Sequence, residues 1–375
     1  MADMLDYLDW RGDIPLAVSP FNEVDNLILA HLVYADFRGI VPESGEAVPL
    51  PAAREAFFRR SSRETLTADG SFLSKCPFLM DHLVSGERFG NMKLSRFIDE
   101  NDADAAKQIS AVTFLLDDGT AYVSFRGTDD SLTGWKEDFY LSYLPETEGQ
   151  KRAAAYLNRV ARELDCPLRV GGHSKGANFA VYASALCDAQ DRILAVYSND
   201  GPGFREEFVR GDAYRRILPR IHSYVPDTPV IGLLLASAVR HHVVKSSAAG
   251  IWQHDGFSWN VRRDRFVEAE ISDTARYIDR TMDGWLAGMN DEARRFLTDT
   301  VFAIFESTGE ASFRDIEDKK LKSAEKMLGF LFSLPKEKQG ELMRLAGQLI
   351  QSGRQTAFEQ LPERIFGKDH KEVTG

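Results

Sequence analysis

The spacing of apolar residues changes twice along the chain and divides it into three segments. From residue 1 to about 105 the pattern is mixed, with a capping Asn22 followed by the apolar stretch 27–34, which predicts a buried helix. From about 106 to 265 short apolar runs alternate with helix-like spacing. From 266 to 375 apolar residues recur every three or four positions, which predicts helices punctuated by Gly309, Pro335 and Gly353.

The middle segment contains a series of short strands. The runs that predict them are 111–116, 121–125, 168–171, 193–197, 221–225 and 242–245. Asp117-Asp118-Gly119 predicts a hairpin between the first two, and 177–186 predicts an Ala-rich helix. Strands that alternate with helices are typical of an α/β fold, with a mostly parallel sheet that helices cover on both faces.

This pattern also predicts the domain organisation. Residues 1–105 form a mostly helical N-terminal segment packed on the core, residues 106–265 form the catalytic core, and residues 266–375 form a helical C-terminal region.

Composition excludes several classes of function. The chain has 46 Lys and Arg against 57 Asp and Glu, a net charge of −11, which argues against nucleic-acid binding and against anionic lipid surfaces. The longest apolar run, 230–239, is too short to span a membrane, and the N-terminus does not resemble a secretion signal. Three scattered cysteines predict reduced thiols, so we expect a cytoplasmic protein without an integral membrane segment.

The most informative motif is Gly172-His173-Ser174-Lys175-Gly176. It matches Gly-x-Ser-x-Gly, the sharp strand-to-helix turn that exposes a nucleophilic serine. It follows the predicted strand 168–171 and opens the predicted helix 177–186, which is the context that the motif requires. Ser174 is therefore the candidate nucleophile.

A serine nucleophile needs a histidine base and an acid that orients it, in the chain order Ser, Asp or Glu, His. Asp200 and Asp227 both follow predicted strands, and we favour Asp227. His254 lies in a loop after the last strand, which suits a base, whereas the second choice, His242, begins a strand. The predicted triad is Ser174, Asp227 and His254.

The reaction also needs donors for the oxyanion. The backbone N–H of Lys175, directly after the nucleophile, is one candidate. The backbone N–H of Thr128, after the strand 121–125, is the other, and Gly127 beside it permits close approach. This chemistry requires neither a metal nor a cofactor, and we predict none.

Four segments in order resemble the class 3 (fungal triacylglycerol) lipases: Phe125-Arg126-Gly127-Thr128 with Trp135 and Asp138, the Ser174 motif, Val225-Pro226-Asp227-Thr228-Pro229, and His254-Asp255-Gly256 with Trp259. The opening segments Trp10-Arg11-Gly12-Asp13 and Pro20-Phe21-Asn22-Glu23-Val24-Asp25 resemble a related bacterial family of uncharacterised lipase-like α/β-hydrolases, which also has a helical C-terminal region. The resemblance implies the α/β-hydrolase fold, with Ser174, His254 and Asp227 as the triad and Thr128 and Lys175 as oxyanion donors.

We therefore expect a serine hydrolase that cleaves carboxylic esters of small molecules or lipids through an acyl-enzyme. A non-catalytic binding or scaffold protein and an acyltransferase are the alternatives. Two segments could form a lid, 132–144 and 228–239, although the second could instead be a buried helix. The C-terminal helices could join two copies of the chain into a homo-oligomer.

Overall fold

The computed structural model describes residues 1–69, 72–129 and 131–366. Contacts between Cα atoms divide the chain into two compact units, of which the first is Met1–Ile271 and the second begins at Ser272. None of the helices in these described ranges combines the length and the apolar character needed to cross a membrane.

The first unit is built on an eight-stranded sheet whose strands follow one another in chain order. The strands are β1 Val48–Pro49, β2 Lys93–Asp102, β3 Lys107–Leu115, β4 Ala121–Phe125, β5 Leu168–His173, β6 Ile193–Asn199, β7 Ile221–Pro226 and β8 His241–Val244. Strands β1 to β4 pair antiparallel, and β4 to β8 pair parallel. A small antiparallel pair, β9 Val261–Arg262 and β10 Arg265–Phe266, completes the strands of this unit within the described residues.

Eleven α-helices belong to the described part of the first unit. They are α1 Met4–Arg11, α2 Glu23–Leu32, α3 Leu50–Arg60, α4 Arg63–Asp69, α5 Phe72–Lys75, α6 Leu79–Ser85, α7 Leu132–Tyr140, α8 Glu148–Glu163, α9 Lys175–Ala185, α10 Glu206–Val209 and α11 Asp212–Ile217.

Helices cover both faces of the sheet because successive strand residues point to opposite sides. On β3, Val112 and Phe114 pack into the core that α1, α2, α3 and α6 cover. Ile109 and Ala111 point to the other face and pack under α8, α9 and α11. The predicted fold, a mostly parallel sheet with helices on both faces followed by a helical region, is confirmed.

Most of the predicted elements form, with shifted ends. Helix α2 begins at the predicted cap Asn22, and all its residues after Glu23 are buried. The hairpin turn at Gly119 has a φ of 78°, which glycine adopts without strain. The sheet starts earlier than the pattern indicated, because β1 and β2 precede residue 106. The helix considered for 228–239 does not form; that segment consists of turns and bends.

The second unit is helical as far as it is described. Its helices are α12 Asp273–Ala287, α13 Asp291–Glu306, α14 Phe313–Asp318, α15 Lys320–Ser333 and α16 Lys336–Phe366. Ser272 and Asn290 cap α12 and α13, and each side chain accepts a backbone N–H from the first turn of its helix. Helix α12 packs on α16, and Trp285 Nε1 donates to the Leu345 carbonyl at 3.0 Å.

Candidate active site

Ser174 lies at the sharp turn between β5 and α9. Its φ of 58° and ψ of −133° are unusual for a residue with a side chain. Glycine is required beside it, because a Cβ on Gly176 would lie 2.1 Å from the Phe125 carbonyl oxygen. The turn therefore packs directly on the end of β4 and holds the Ser174 backbone in this conformation.

His254 lies against Asp200. Its Nδ1 is 2.6 Å from Asp200 Oδ2, and the Asp200 side chain is 1% exposed. The other oxygen, Asp200 Oδ1, accepts the Gly232 N–H at 3.1 Å. A carboxylate held in this way fixes the imidazole ring, so that Nδ1 carries the proton and Nε2 is left to act as a base.

Asp227 was the favoured partner of His254, and the structure corrects that prediction. Asp227 Oδ1 accepts from Gln253 Nε2 at 2.8 Å and from Thr228 Oγ1 at 3.0 Å. The reason lies in the strand order. Asp200 follows β6, which pairs with the strand that carries the nucleophile, whereas Asp227 follows β7, one strand further away. Both aspartates follow strands, and the sequence pattern did not separate them.

Adjacent strand ends bring Ser174 and Asp200 together. The Ser174 N–H donates to the Asn199 carbonyl at 3.0 Å, so Ser174 is bonded to the residue before Asp200. The structure records no hydrogen bond between Ser174 Oγ and His254 Nε2.

His173, the residue before Ser174, supports the loop that carries His254. Its Nε2 lies 2.7 Å from the His254 carbonyl oxygen, which can only accept, so Nε2 carries the proton. Its Nδ1 then accepts from the Tyr34 hydroxyl at 3.0 Å. Burial holds the pKa of His173 well below its usual value, so the ring is neutral at pH 7. No feature of the sequence indicated the contact of Tyr34 with His173.

The loop after β4 lies beside the nucleophile. A Cβ on Gly127 would be 2.5 Å from the His173 carbonyl oxygen and 3.0 Å from Ser174 Cβ, so only glycine fits there. This close approach puts the next residue, Thr128, at the edge of the site. The N–H of Lys175 is the first of helix α9 and has no acceptor within the helix.

Thr128 is held by Asp138 of helix α7. The Thr128 hydroxyl donates to Asp138 Oδ2 at 2.5 Å. Burial raises the pKa of Asp138 from 3.8 to about 6, and the nearby Lys175 ammonium opposes that rise. Asp138 is therefore ionised at neutral pH and fixes the Thr128 hydroxyl as a donor.

The second choice for the base lies elsewhere. His242 stacks on Tyr224, with ring centroids 5.4 Å apart, in strand β8. In the part of the chain that the structure describes, no group of three or more His, Cys, Asp or Glu side chains could hold a metal ion.

Comparison with known proteins gives one family and several structural likenesses. The chain is similar to the Rhizomucor miehei lipase in its propeptide complex, at 13% identity over 57% of this chain and 83% of that one, with a TM-score of 0.35. It is also similar to M37 lipase, at 11% identity over 55% of this chain and 68% of that one, with a TM-score of 0.33. A third likeness is to Lip2 lipase from Yarrowia lipolytica, at 12% identity over 44% of this chain and 68% of that one, with a TM-score of 0.29. No curated protein matches the sequence.

A family model described as Mbeg1-like matches residues 83–303. The match spans more than half of the chain and includes Ser174, Asp200 and His254. The chain therefore belongs to the Mbeg1-like family.

Proposed function

We propose that this protein is a serine hydrolase that cleaves carboxylic esters, with Ser174 as nucleophile, His254 as base and Asp200 as the acid that orients the base. The observation that carries the proposal is the 2.6 Å contact between His254 and the buried Asp200, formed beside a serine in the strained turn. A buried acid on the base and a backbone held out of its preferred conformation are both typical of catalytic sites.

In the proposed reaction Ser174 Oγ attacks the acyl carbonyl while His254 Nε2 takes the hydroxyl proton. The carbonyl electron pair moves onto oxygen, where the N–H groups of Thr128 and Lys175 would bind it. The protonated His254 then gives its proton to the leaving alcohol as the acyl-enzyme forms. Water, deprotonated by His254, releases the acid and restores Ser174.

Apolar side chains beside the base support an acyl group as the part of the substrate that binds here. Ile251 and Trp252 lie three and two residues before His254 in the chain and are 54% and 76% exposed. Large apolar side chains that remain this exposed commonly mark a binding surface. Together with the motif resemblance to class 3 lipases, they favour esters with an apolar acyl chain, from small molecules or from lipids.

A fluorophosphonate probe tests the proposal, because it reacts with activated serines. We expect wild-type protein to gain one adduct, at Ser174, and to hydrolyse short p-nitrophenyl esters. Ser174→Ala should remove both the adduct and the hydrolysis. Ser85 is exposed and lies outside the site, so Ser85→Ala should leave both unchanged. Folded wild-type protein that neither labels nor turns over would contradict the proposal and favour a non-catalytic binding role.

Product analysis separates hydrolysis from acyl transfer. If an added alcohol captures most of the acyl group at millimolar concentration in the presence of water, the protein is an acyltransferase and the hydrolase assignment is wrong. If free acid remains the main product, the assignment stands.

A further inference from the structure

The residue after the nucleophile carries a charge deep inside the protein. The Lys175 side chain is fully buried, and its ammonium Nζ lies 2.9 Å from Gln108 Oε1, 3.3 Å from the Gly134 carbonyl oxygen and 3.2 Å from Glu137 Oε2. An ammonium has three N–H donors, and here each has an acceptor. Strand β3 and helix α7 supply these acceptors, so the side chain joins the start of α9 to both.

The partner carboxylate is equally enclosed. Glu137 is fully buried; its Oε1 accepts the Gly149 N–H at 2.8 Å and its Oε2 accepts the Gln108 N–H at 3.0 Å. Gly149 lies in the first turn of α8, where helix N–H groups lack helical acceptors. The ion pair is therefore fully hydrogen-bonded and bridges four elements.

Stability alone does not account for such a pair. Removing two charges from water is expensive, and replacing a buried ion pair by apolar side chains is often neutral or stabilising. A pair retained at this position therefore needs a role in fixing geometry, and its place beside the nucleophile indicates which geometry.

Helix α7 carries two carboxylates in succession, and each one holds a different oxyanion donor residue. Glu137 binds the side chain of Lys175, and Asp138 binds the hydroxyl of Thr128. The two backbone N–H groups that would bind the oxyanion are thus attached, through their own side chains, to adjacent residues of one helix.

We propose that the buried Lys175–Glu137 ion pair is a positioning device that sets the spacing of the oxyanion hole, with α7 as its fixed support. This inference rests on the proposed function and extends it. Lys175 and Glu137 touch no substrate through their side chains; they act through the backbone N–H of Lys175. Helix α7 also fills the segment considered as a lid, and opening it would break a buried ion pair.

The test replaces the pair by uncharged side chains of similar size, Lys175→Met with Glu137→Gln. A matched control neutralises a second ion pair that is fully buried in the described part of the chain, Arg88–Asp25, as Arg88→Met with Asp25→Asn, since this pair joins α2 to the chain before β2. For each protein we would measure kcat and KM on p-nitrophenyl butyrate, and the inhibition constant of a trifluoromethyl ketone. Such a ketone forms a tetrahedral adduct with the nucleophilic serine, and its oxyanion occupies the same hole.

Displaced donors weaken binding of the tetrahedral state and leave substrate binding unchanged. We expect the Lys175→Met, Glu137→Gln variant to lose about tenfold to a hundredfold in kcat. Its KM should stay within about twofold, and its inhibition constant should rise by about the same factor as kcat falls. The Arg88→Met, Asp25→Asn control should keep the kcat and the inhibition constant of wild type.

A merely structural role gives a different result. The fraction of labelled sites and kcat would then fall together, while the inhibition constant of the remaining active protein would not change, and the inference would be overturned. Gln108→Leu removes one acceptor from Lys175 without changing a charge. Like the pair variant it should have a lower kcat and a higher inhibition constant than wild type, but both changes should be smaller. If this variant folds and its inhibition constant equals that of wild type, the inference is likewise overturned.

The outcome for wild-type protein distinguishes the two proposals. Wild-type protein that neither hydrolyses the ester nor binds the ketone would overturn the proposed function, and this inference with it. Active wild-type protein with an unaffected pair variant would overturn only the inference.

Discussion

Asp200, Asp138 and Asp25 occupy different surroundings in the first unit, and these decide what each can do. Asp200 is bonded to His254 and to the Gly232 N–H. Asp138 is bonded to Thr128, and removal of its carboxyl group from water raises its pKa to about 6. Asp25 faces the Arg88 guanidinium. The same carboxylate thus holds an imidazole, fixes a hydroxyl or balances a cation according to its neighbours.

Asp138 should make the stability of the protein depend on pH. Its pKa is 3.8 in an unfolded chain and about 6 when folded. The fold therefore favours the protonated acid, and the stability that this gives is complete below pH 3.8 and lost as the pH rises through 6. A rise of this size in the pKa of Asp138 corresponds to about 3 kcal/mol in the free energy of unfolding.

We would measure the free energy of unfolding of wild type and Asp138→Asn between pH 3.5 and 7.5. Asn cannot ionise but still offers an oxygen to Thr128, so the difference between the two proteins isolates the titration. Wild type should lose about 3 kcal/mol relative to the variant over this range. A difference that does not change with pH would contradict the burial of an ionising Asp138.

Residue types and order alone indicated part of the proposed site. The Gly-x-Ser-x-Gly motif identified Ser174, and position after the last strand favoured His254. Choosing between Asp200 and Asp227 required the strand order, because both follow apolar strands and only contact with His254 separates them. Glu137 and Tyr34 were not predicted, because their roles depend on contacts between residues far apart in the chain.

At the scale of elements, the turn between β5 and α9 concentrates strain at one residue. Ser174 has a positive φ while the flanking strand and helix are regular. The helix is held against β4 by the contact of Gly176 with the Phe125 carbonyl, so the turn cannot relax. The motif predicted this turn because its glycines are required by the close packing itself.

Glycine at position 174 should relieve this strain. We expect Ser174→Gly to have a free energy of unfolding about 1 kcal/mol higher than Ser174→Ala, because only glycine adopts this backbone conformation freely. Ser110 in β3 is the matched control. It is buried in an extended strand, so Ser110→Gly should be less stable than Ser110→Ala. If glycine is no more stable than alanine at 174, the turn is not strained.

At the scale of the whole molecule, the N-terminal segment is a structural layer of the first unit. The Tyr7 hydroxyl donates to Asp25 Oδ1 at 2.8 Å and accepts from Asn22 Nδ2 at 2.8 Å. Arg88 Nε donates to the same Asp25 oxygen at 2.8 Å. The opening residues that suggested a family resemblance thus join α1 and α2 to the chain before β2.

Breaking this network at one side should be costly. Asp25→Asn leaves the fully buried Arg88 without its counter-charge, and we expect a loss of about 3 kcal/mol or more in the free energy of unfolding. Chemical denaturation measures it. The double variant Asp25→Asn, Arg88→Met should recover much of the loss, because no unpaired charge remains. A single variant as stable as wild type would show that the pair contributes nothing.

The division of the chain could be predicted only in outline. Helical spacing after residue 266 indicated a separate helical region, and the second unit begins at Ser272. The sheet extends back to Val48, which the pattern missed because β1 is two residues long and β2 lies in a stretch rich in charged residues. Association of two copies through the C-terminal helices stays a prediction.

The most direct test of the account compares Asp200→Asn with Asp227→Asn by their rates of fluorophosphonate labelling at Ser174. Both changes remove one negative charge and keep the size of the side chain. We predict that Asp200→Asn slows labelling by about a thousandfold, because His254 loses the acid that fixes its tautomer, while Asp227→Asn stays within about threefold of wild type. Equal rates in the two variants, or a larger loss in Asp227→Asn, would contradict the assignment of Ser174, His254 and Asp200 as the catalytic unit.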